Sequence, residues 1–443
     1  MKNSLLVPLL VFLPLFPAWG AEPSTGTLTL SLDDAVEMAL RQNLDVSLAE
    51  LNLRMLESRH RAVFGLAVPD VSLTGNYTRN FERPSVFFSG NRTETGSANS
   101  YRAGVELEQT VYSGGKLGKG LRATRLGVEA GKDNLRGAKD EITLAVKSLF
   151  YSVLLASATV TIQEDNLASA EEHLRTIKER FKQGLDSDLT LLRQEVEVAN
   201  AKPAVIQARN LLDLGLTLLK DAMGIDVDRP VLLTGRLDPA DRKVPSYAGL
   251  SRLALERNPE FHAAQRSAEA SMSLIRAAAG DLHPQLSIFA NYQWFAESED
   301  LSPGPNERAT SAAGGLKLRY PFFTGGETLE RVRQARLEYE RAQTLANELE
   351  RSVRVAVKRN WLAVMEASER AESQESAIGQ ARRALEATEI RYKAGHASQL
   401  ELNDATLALN RVRMLYAQAL HDYQVALAAL ERAAGTKIEE MKP

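Results

Sequence analysis

Two spacings of hydrophobic residues alternate along this chain. In the longest stretches apolar side chains recur every seven positions, for example at Val146, Val153 and Val160. In four shorter segments every second residue is apolar, as at Val105 and Leu107. The seven-residue spacing predicts long helices that pack along a coiled-coil seam, and the two-residue spacing predicts β-strands with one apolar face.

The strand segments alternate over about ten residues, which is the length of a tilted strand that spans a membrane. Tyr77, Tyr101 and Trp294 lie near the ends of these segments, where aromatic belts lie in membrane barrels. The connections 80–99 and 296–311 are long and polar. A half-buried sheet of a soluble protein would alternate in the same way, so it is the aromatic residues and the loops that favour a membrane barrel.

The sequence consists of two copies of one unit. Asn43 corresponds to Asn258, and the turn YSGG at 112–115 corresponds to FTGG at 323–326 with an offset that is shorter by four residues. The offset changes only between the two strands of a hairpin, where a loop can differ in length. Matching positions that persist over so long a stretch indicate an internal duplication.

Each copy is predicted to contain an amphipathic helix, two strands, a very long helix and a returning helix. We predict a secretion leader at 1–20, a first copy at 21–243, a second copy at 244–435 and a short tail at 436–443. The predicted elements are first helices at 32–64 and 247–279, strands at 68–79, 100–112, 284–295 and 314–323, helical hairpins at 115–223 and 326–434, and a linker at 224–243.

The lengths of these helices predict a tall cylinder. A long helix of about 68 residues extends about 100 Å, and the two shorter helices of each copy extend about 50 Å each. Two strand hairpins give four strands per chain, but a bacterial membrane barrel needs at least eight. Three chains would supply twelve strands around an open lumen. The predicted fold is therefore a mixed α+β membrane protein with a trimeric twelve-stranded β-barrel and a long helical barrel.

Composition narrows the function further. Lys2, the apolar stretch after it, and the small residues Ala18 and Gly20 are typical of a secretion leader. No run of about 18 apolar residues follows, so we expect no membrane helix after the leader. The chain has 54 basic residues, 57 acidic residues and no cysteine. This balance argues against a nucleic-acid partner, and the lack of cysteine excludes thiolate chemistry.

Two other classes of protein compete with a channel. An enzyme is disfavoured because no converging nucleophile and base are visible, and the six histidines are too scattered for a metal site. The segment GGKLGKG at 114–120 does not match a phosphate-binding loop, because Lys119 occupies the place of the second glycine. We expect no cofactor. A periplasmic coiled-coil adaptor or scaffold would explain the leader and the hairpins, but not the strands or the duplication.

The chain resembles the TolC-type outer-membrane efflux proteins over almost its whole length after the leader. The resemblance rests on the duplication, on YSGG and FTGG, and on the hairpin motifs RFKQG at 180–184 and RYKAG at 391–395. It implies a homotrimer in the cell outer membrane, in contact with its lipid and with a large periplasmic part. It further implies a passive exit duct of an efflux or type I secretion system that docks to a periplasmic adaptor and an inner-membrane transporter.

The same resemblance assigns roles to the turns of the helical hairpins. Tyr392 matches a tyrosine that helps to close the periplasmic entrance, and Glu401 and Asp404 match two acidic positions that ring it. Ala397 and Thr190 stand where the best-known member has an arginine and an aspartate, so the closing contacts must differ. The residues expected to form the docking turns for the adaptor are Gly184, Asp186, Gly395 and Ser398.

Some of these residues have simpler explanations. Gly184 and Gly395 would also serve as left-handed helix caps. Glu401 and Asp404 lie on one helix face, and three chains would bring up to six carboxylates together in a ring that favours cations. Ser398 and Glu401 have the spacing of a capping box, so Glu401 alternatively serves its own helix. Nothing in the sequence selects a class of substrate.

Overall fold

The computed structural model describes residues 28–83, 85–88, 90–238, 244–436 and 438. The predicted leader, part of the linker 224–243 and most of the tail lie outside these residues. The described chain contains two similar halves, each with two short helices, two strands of a common sheet and a long helical hairpin.

Each copy begins with two helices and not with one. α1 (Leu32–Gln42) and α2 (Leu44–Gly65) meet at Asn43, and α5 (Tyr247–Arg257) and α6 (Pro259–Ala279) meet at Asn258. The side chain of Asn43 accepts a hydrogen bond from the amide of Asp45 at 2.8 Å, and that of Asn258 accepts one from the amide of Phe261 at 3.0 Å. The single helices expected at 32–64 and 247–279 are therefore wrong, because a capping asparagine in extended conformation starts a new helix.

Four strands form one antiparallel sheet. The strands are β2 (Asp70–Arg79), β5 (Asn99–Ser113), β7 (Gln285–Ser298) and β8 (Arg308–Arg319), in the order β2-β5-β7-β8. Tyr77 lies opposite Tyr101, and Val105 lies opposite Tyr292. The predicted apolar face is thus continuous across the sheet. Near its end β5 bulges, so that Tyr112 and not Val111 lies opposite Leu286.

The fourth strand and both loops differ from the expectation. β8 occupies Arg308–Arg319 and not 314–323, because Pro321 cannot donate to the sheet and because pairing with β7 recruits the small residues 309–313. The loop expected at 296–311 is accordingly shorter. The loop expected at 80–99 contains a hairpin of its own, β3 (Ser85–Phe88) and β4 (Asn91–Glu94).

Four long helices form the largest part of the described structure. They are α3 (Lys116–Lys182), α4 (Asp188–Met223), α7 (Glu327–Lys393) and α8 (Gln399–Ala434). Next to the sheet α3 lies between α2 and α6, and farther away it lies between α4 and α8. The seam residues Val146, Val153, Val357 and Val364 are buried, as the seven-residue spacing predicts. Along its length α3 therefore packs first against one pair of shorter helices and then against another.

An equatorial layer covers the middle of the long helices on one side. It consists of the parallel strands β1 (Leu28–Leu30) and β6 (Val231–Leu233), the helices α1 and α5, and segments 234–238 and 244–246. Leu30 and Ala35 of this layer pack with the buried Phe150 of α3. In the second copy the indole nitrogen of Trp361 donates to the carbonyl of Pro245 at 3.1 Å.

Among the described residues, one helix is long and apolar enough to cross a membrane, contrary to the expectation from the sequence. An apolar stretch within α3 (Lys116–Lys182) is long and hydrophobic enough. The core around Val146, Phe150 and Val153 lies under the equatorial layer. We attribute the apolar stretch in part to this packing, which needs hydrophobic residues as a membrane does.

The sheet and the helices are joined by a compact ionic contact between the two copies. Asp281, whose side chain is largely buried, accepts hydrogen bonds from Lys116 at 2.8 Å and from Arg331 at 3.1 Å. Beside it Gly114 has φ of +61°, and a side chain there would collide with the carbonyl of Gly280. The ends of α3, α6 and α7 that lie next to the sheet are therefore held together.

Candidate functional site at the tips of the helical hairpins

The two hairpin turns have the same backbone structure. α3 ends at Lys182, Gly184 has φ of +74°, and the amide of Leu185 bonds to the carbonyl of Arg180 at 2.9 Å. In the second copy Gly395 has φ of +78°, and the amide of His396 bonds to the carbonyl of Arg391 at 2.8 Å. These bonds satisfy carbonyls at the helix ends, and the left-handed conformation explains the glycines.

A serine begins the returning helix of each hairpin. Ser187 Oγ accepts from the amide of Thr190 at 3.2 Å, and Ser398 Oγ accepts from the amide of Glu401 at 3.2 Å. The Glu401 carboxylate lies 3.4 Å from the hydroxyl of Ser398, which donates to it, and 3.7 Å from the guanidinium of Arg391. Ser398 therefore has a local role as a cap, and Glu401 takes only part of the capping interaction that its spacing suggested.

The first turn contains an ion pair. Arg180 Nε lies 2.9 Å from Asp186 Oδ2, and the Asp186 side chain is only 13% exposed. The guanidinium carbon of Arg180 also lies 5.9 Å from the ring centroid of Tyr392, which comes from the other hairpin. Arg180 thus brings together two residues that the sequence had singled out separately. Arg180 is the first residue of the motif RFKQG, and only this motif drew attention to it in the sequence.

Tyr392 is held between the two tips. Its hydroxyl oxygen is buried and has no hydrogen-bond partner among the described residues. Burial raises the pKa of the Tyr392 phenol above its usual value, the carboxylate of Asp186 raises it further, and Arg180 partly opposes the shift. The neutral phenol is therefore the form that fits this contact between the tips.

A second link joins the hairpins through glutamines that the sequence analysis missed. Gln399 Nε2 donates to Gln194 Oε1 at 2.8 Å, and Gln194 Nε2 donates to the carbonyl of Ala170 at 3.0 Å. Gln194 is fully buried, in a row of α4 with the buried Val198 and Ala201. A polar residue within that apolar row was the available signal, since a buried amide needs partners.

The two predicted acidic residues are exposed on α8. Asp404 has neither a hydrogen bond nor an ion pair within the described part of the chain. Farther along α8, Gln424 donates to the carbonyl of Asp238 in the equatorial layer at 3.3 Å. Asp404 precedes Gln424 by about five and a half helical turns, so its side chain points away from the side that this layer covers. No group of three or more metal-ligating side chains occurs in the described ranges.

Comparisons with known proteins agree with this architecture. The chain matches the sequence profile of the family described as outer membrane efflux protein at residues 35–224 and 250–436, once for each copy. Outer membrane protein TolC of Vibrio cholerae is 24% identical over 386 residues, which are 84% of this chain and 83% of that protein.

Two further relatives cover most of the chain. Alkaline protease secretion protein AprF of Pseudomonas aeruginosa is 24% identical over 352 residues, 78% of this chain and 72% of that protein. The solved structure of outer membrane protein VceC from Vibrio cholerae shares the fold, with a TM-score of 0.77 and 18% identity over 92% of this chain and 96% of that one. The alternative of a periplasmic adaptor or scaffold is thereby excluded. The chain belongs to the outer membrane efflux protein family and is an outer-membrane channel protein with a long helical periplasmic part.

Proposed function

We propose that three copies of this chain form one continuous exit duct. The observation that carries the proposal is the open sheet, in which β2 and β8 have no further partner strand in the described residues. An unpaired strand edge is not tolerated in a membrane, because its amides and carbonyls would find no partners there. Four strands cannot close, whereas twelve strands from three chains can close around a lumen.

Unpartnered apolar stripes on the helices support the same assembly. Leu44, Leu48, Leu51 and Met55 recur along α2 at spacings of three and four residues, and each is at least half exposed. On α7, Leu337, Val355 and Leu362 follow one another after about five and about two helical turns, and each is also at least half exposed. These stripes have the seam spacing of the buried helix contacts. A neighbouring copy that presents α7 to α2 would bury both of them.

Glu401 and Asp404 are proposed to line the periplasmic entrance. Their exposure, and the direction of Asp404 away from the equatorial layer, support a position facing the lumen. Threefold repetition would then bring carboxylates together and favour cations at the narrowest point. Tyr392, held by Arg180 and Asp186, is proposed to keep this entrance closed.

The turns at Gly184 and Gly395 are proposed to receive a periplasmic adaptor, which in turn contacts an inner-membrane transporter. Leu189 and Leu400 occupy matching positions just after the two turns, and their side chains are 55% and 65% exposed. Exposed leucines at the end of a rod favour a protein partner. Asp186 and Ser398 would shape the turns from within, because both are engaged in local contacts.

The cargo would be selected elsewhere in the assembly. The polar face of the sheet carries both signs of charge, with Lys317 3.6 Å from Glu108. Such a lining suits a passive duct that performs no chemistry of its own. The names of the relatives point to both efflux and secretion, since one of them is a protein for alkaline protease secretion.

Measurements on detergent-purified protein test the duct. We expect a mass of about 140 kDa for the protein, three times that of one chain without its leader. The same protein in a planar lipid bilayer should conduct ions. A stable monomer, or a trimer that never conducts, would contradict the proposal.

A further inference from the structure

Exposed arginines surround the ends of the helices that meet the sheet. Segments 55–65, 116–126, 270–279 and 327–337 together contain ten basic residues against three acidic ones, although the whole chain has a net charge of −3. Three positions are occupied by arginine in both copies. We call these six exposed residues the collar: Arg61 with Arg276, Arg122 with Arg333, and Arg125 with Arg336.

The collar lies on the face of the helices that the equatorial layer covers lower down. Phe150 of α3 packs against the backbone at Gly235, and Trp361 of α7 bonds to the carbonyl of Pro245. Arg125 precedes Phe150, and Arg336 precedes Trp361, by about seven helical turns. Both arginines therefore point to the same side as those aromatic residues.

A contact between α2 and α3 indicates the side to which Arg61 points. Glu50 of α2 lies 3.5 Å from Lys139 of α3, and Lys139 follows Arg125 by about four turns. Arg61 follows Glu50 by about three turns, so it lies on the same side. Arg276 is its counterpart in α6. This side faces away from the lumen, because three equatorial layers inside the ring would obstruct a channel.

The collar begins at the depth of lipid headgroups and extends a few ångströms below it. From the helix ends at the sheet, Arg276 lies about 4.5 Å away, Arg61 about 6 Å, Arg122 and Arg333 about 9 Å, and Arg125 and Arg336 about 14 Å. The headgroup layer of a bilayer is about 5–8 Å thick on each side. Long arginine side chains can extend back toward it.

The collar arginines are weakly engaged within the protein. Within the described part of the chain they form two ion pairs, Arg125 with Glu129 at 3.6 Å and Arg333 with Glu330 at 3.7 Å, each between exposed side chains of one helix. Such pairs contribute little, so the guanidinium groups remain available to another anion. A guanidinium group binds phosphate through two parallel hydrogen bonds.

We propose that the collar binds the phosphate groups of anionic phospholipids in the periplasmic leaflet of the outer membrane. The proposal rests on the trimeric duct described above, since only the closed assembly presents the collar as a ring. It is continuous with the lipid-facing surface of the sheet. The ring would fix the depth of the channel in the membrane through charge as well as through hydrophobic contact.

Native mass spectrometry of the purified trimer tests this proposal. Phosphatidylglycerol, or zwitterionic phosphatidylethanolamine, is titrated into the detergent solution, and bound lipids are counted per trimer. We expect the wild type to prefer phosphatidylglycerol. The variant Arg61→Gln/Arg276→Gln/Arg122→Gln/Arg333→Gln should bind it at least about ten-fold more weakly, and binding of phosphatidylethanolamine should not change. The control variant Arg175→Gln/Arg351→Gln/Arg382→Gln/Arg411→Gln removes four exposed arginines far from the sheet and should behave as the wild type.

The alternative outcomes are distinct. Equal binding by the collar variant and the wild type, or equal loss in the control variant, overturns the proposal, as does full displacement of the lipid by millimolar inorganic phosphate. If the fourfold variant does not form trimers, Arg122→Gln/Arg333→Gln alone should weaken binding about three-fold. Conductance in a planar bilayer separates the two hypotheses: a conducting trimer without lipid preference refutes the collar only, whereas no trimer at all refutes the duct.

Discussion

Single residues account for the difference between the two hairpin tips. Arg180 and Arg391 occupy matching positions, but the partner of Arg180 is Asp186, whereas Ala397 stands at the matching place in the second copy. Arg391 reaches Glu401 at 3.7 Å instead, and Thr190 stands at the place of Glu401 in the first copy. The first hairpin thus has its carboxylate within the turn, where Asp186 forms an ion pair. The second has its carboxylate at the start of the returning helix, where Glu401 is exposed.

The proposed acidic ring predicts block by a multivalent cation. We expect a trivalent cation on the periplasmic side to reduce single-channel conductance, because carboxylates at a constriction attract it. Glu401→Gln/Asp404→Asn should weaken the block at least about ten-fold and lower the preference for cations. Glu179→Gln is a suitable control, since this glutamate is exposed near the other tip and paired with Lys182. Unchanged block in the double variant would exclude the ring.

The raised pKa of Tyr392 predicts opening at alkaline pH. The proposed closure by Tyr392 needs the neutral phenol, so this contribution is complete below about pH 10 and is lost as the pH rises through the raised pKa. Conductance of the closed channel should therefore increase reversibly above about pH 10. Tyr392→Phe should abolish the increase and leave the conductance at neutral pH unchanged, because the hydroxyl has no hydrogen bond to lose. An increase that persists in this variant, or that disappears in Tyr339→Phe far from the tip, would refute the explanation.

Among the elements, the tight turns decide how the helical hairpins end. Gly184 and Gly395 have positive φ, and a side chain built on either one would meet no atom within 4 Å. Glycine is therefore required by the backbone conformation and not by a lack of space within the chain. The open space at both turns agrees with their proposed role as the surface that an adaptor contacts.

Substitutions at these turns separate docking from folding. Gly184→Leu/Gly395→Leu adds bulk and strains the backbone by about 1–2 kcal/mol per site, whereas Gly184→Asn/Gly395→Asn tolerates the left-handed conformation. We expect the leucine variant to remain trimeric in the outer membrane but to lose cross-linking to the adaptor and export. The asparagine variant should retain much of both. If trimers disappear from the membrane in the leucine variant, the glycines serve folding and the docking role is wrong.

In the whole molecule, the open sheet and the exposed helix stripes are two parts of one incomplete surface. Both run along the sides of the protomer, and both would be completed by the same neighbour. In the proposed trimer, closure of the sheet would therefore be coupled to packing of the helices, because one neighbour would complete both surfaces.

This coupling predicts the effect of a charge in the stripe. Val355 is 67% exposed on the face of α7 that would meet the next copy. We expect Val355→Arg to prevent trimers from forming, since the arginine would be buried without a partner, while the circular dichroism of the helices is kept. Gln343→Arg, on the side of α7 toward which Trp361 points, should remain trimeric. Trimers of normal stability in Val355→Arg, measured by light scattering, would contradict the assignment of this stripe.

The sequence by itself determined the repeated features of this protein. Seven-residue spacing, two-residue spacing and the duplication each involve many residues of one type, so the long helices, the apolar face of the sheet and the family could all be predicted. The hairpin motifs also located the tips, because a glycine after a long helix marks its end. These signals are local, and no tertiary contact is needed to interpret them.

Only the tertiary structure decided the features that depend on one contact between distant residues. Asn43 and Asn258 divide helices that the hydrophobic pattern had joined, because a single cap is a weak signal inside a strong periodicity. β8 begins at Arg308 because β7 lies beside it, although its first residues do not alternate. Arg180 meets Tyr392, and Gln194 meets Gln399, across about two hundred residues of sequence. Such pairs depend on the packing of two hairpins, and the spacing within either hairpin does not reveal them.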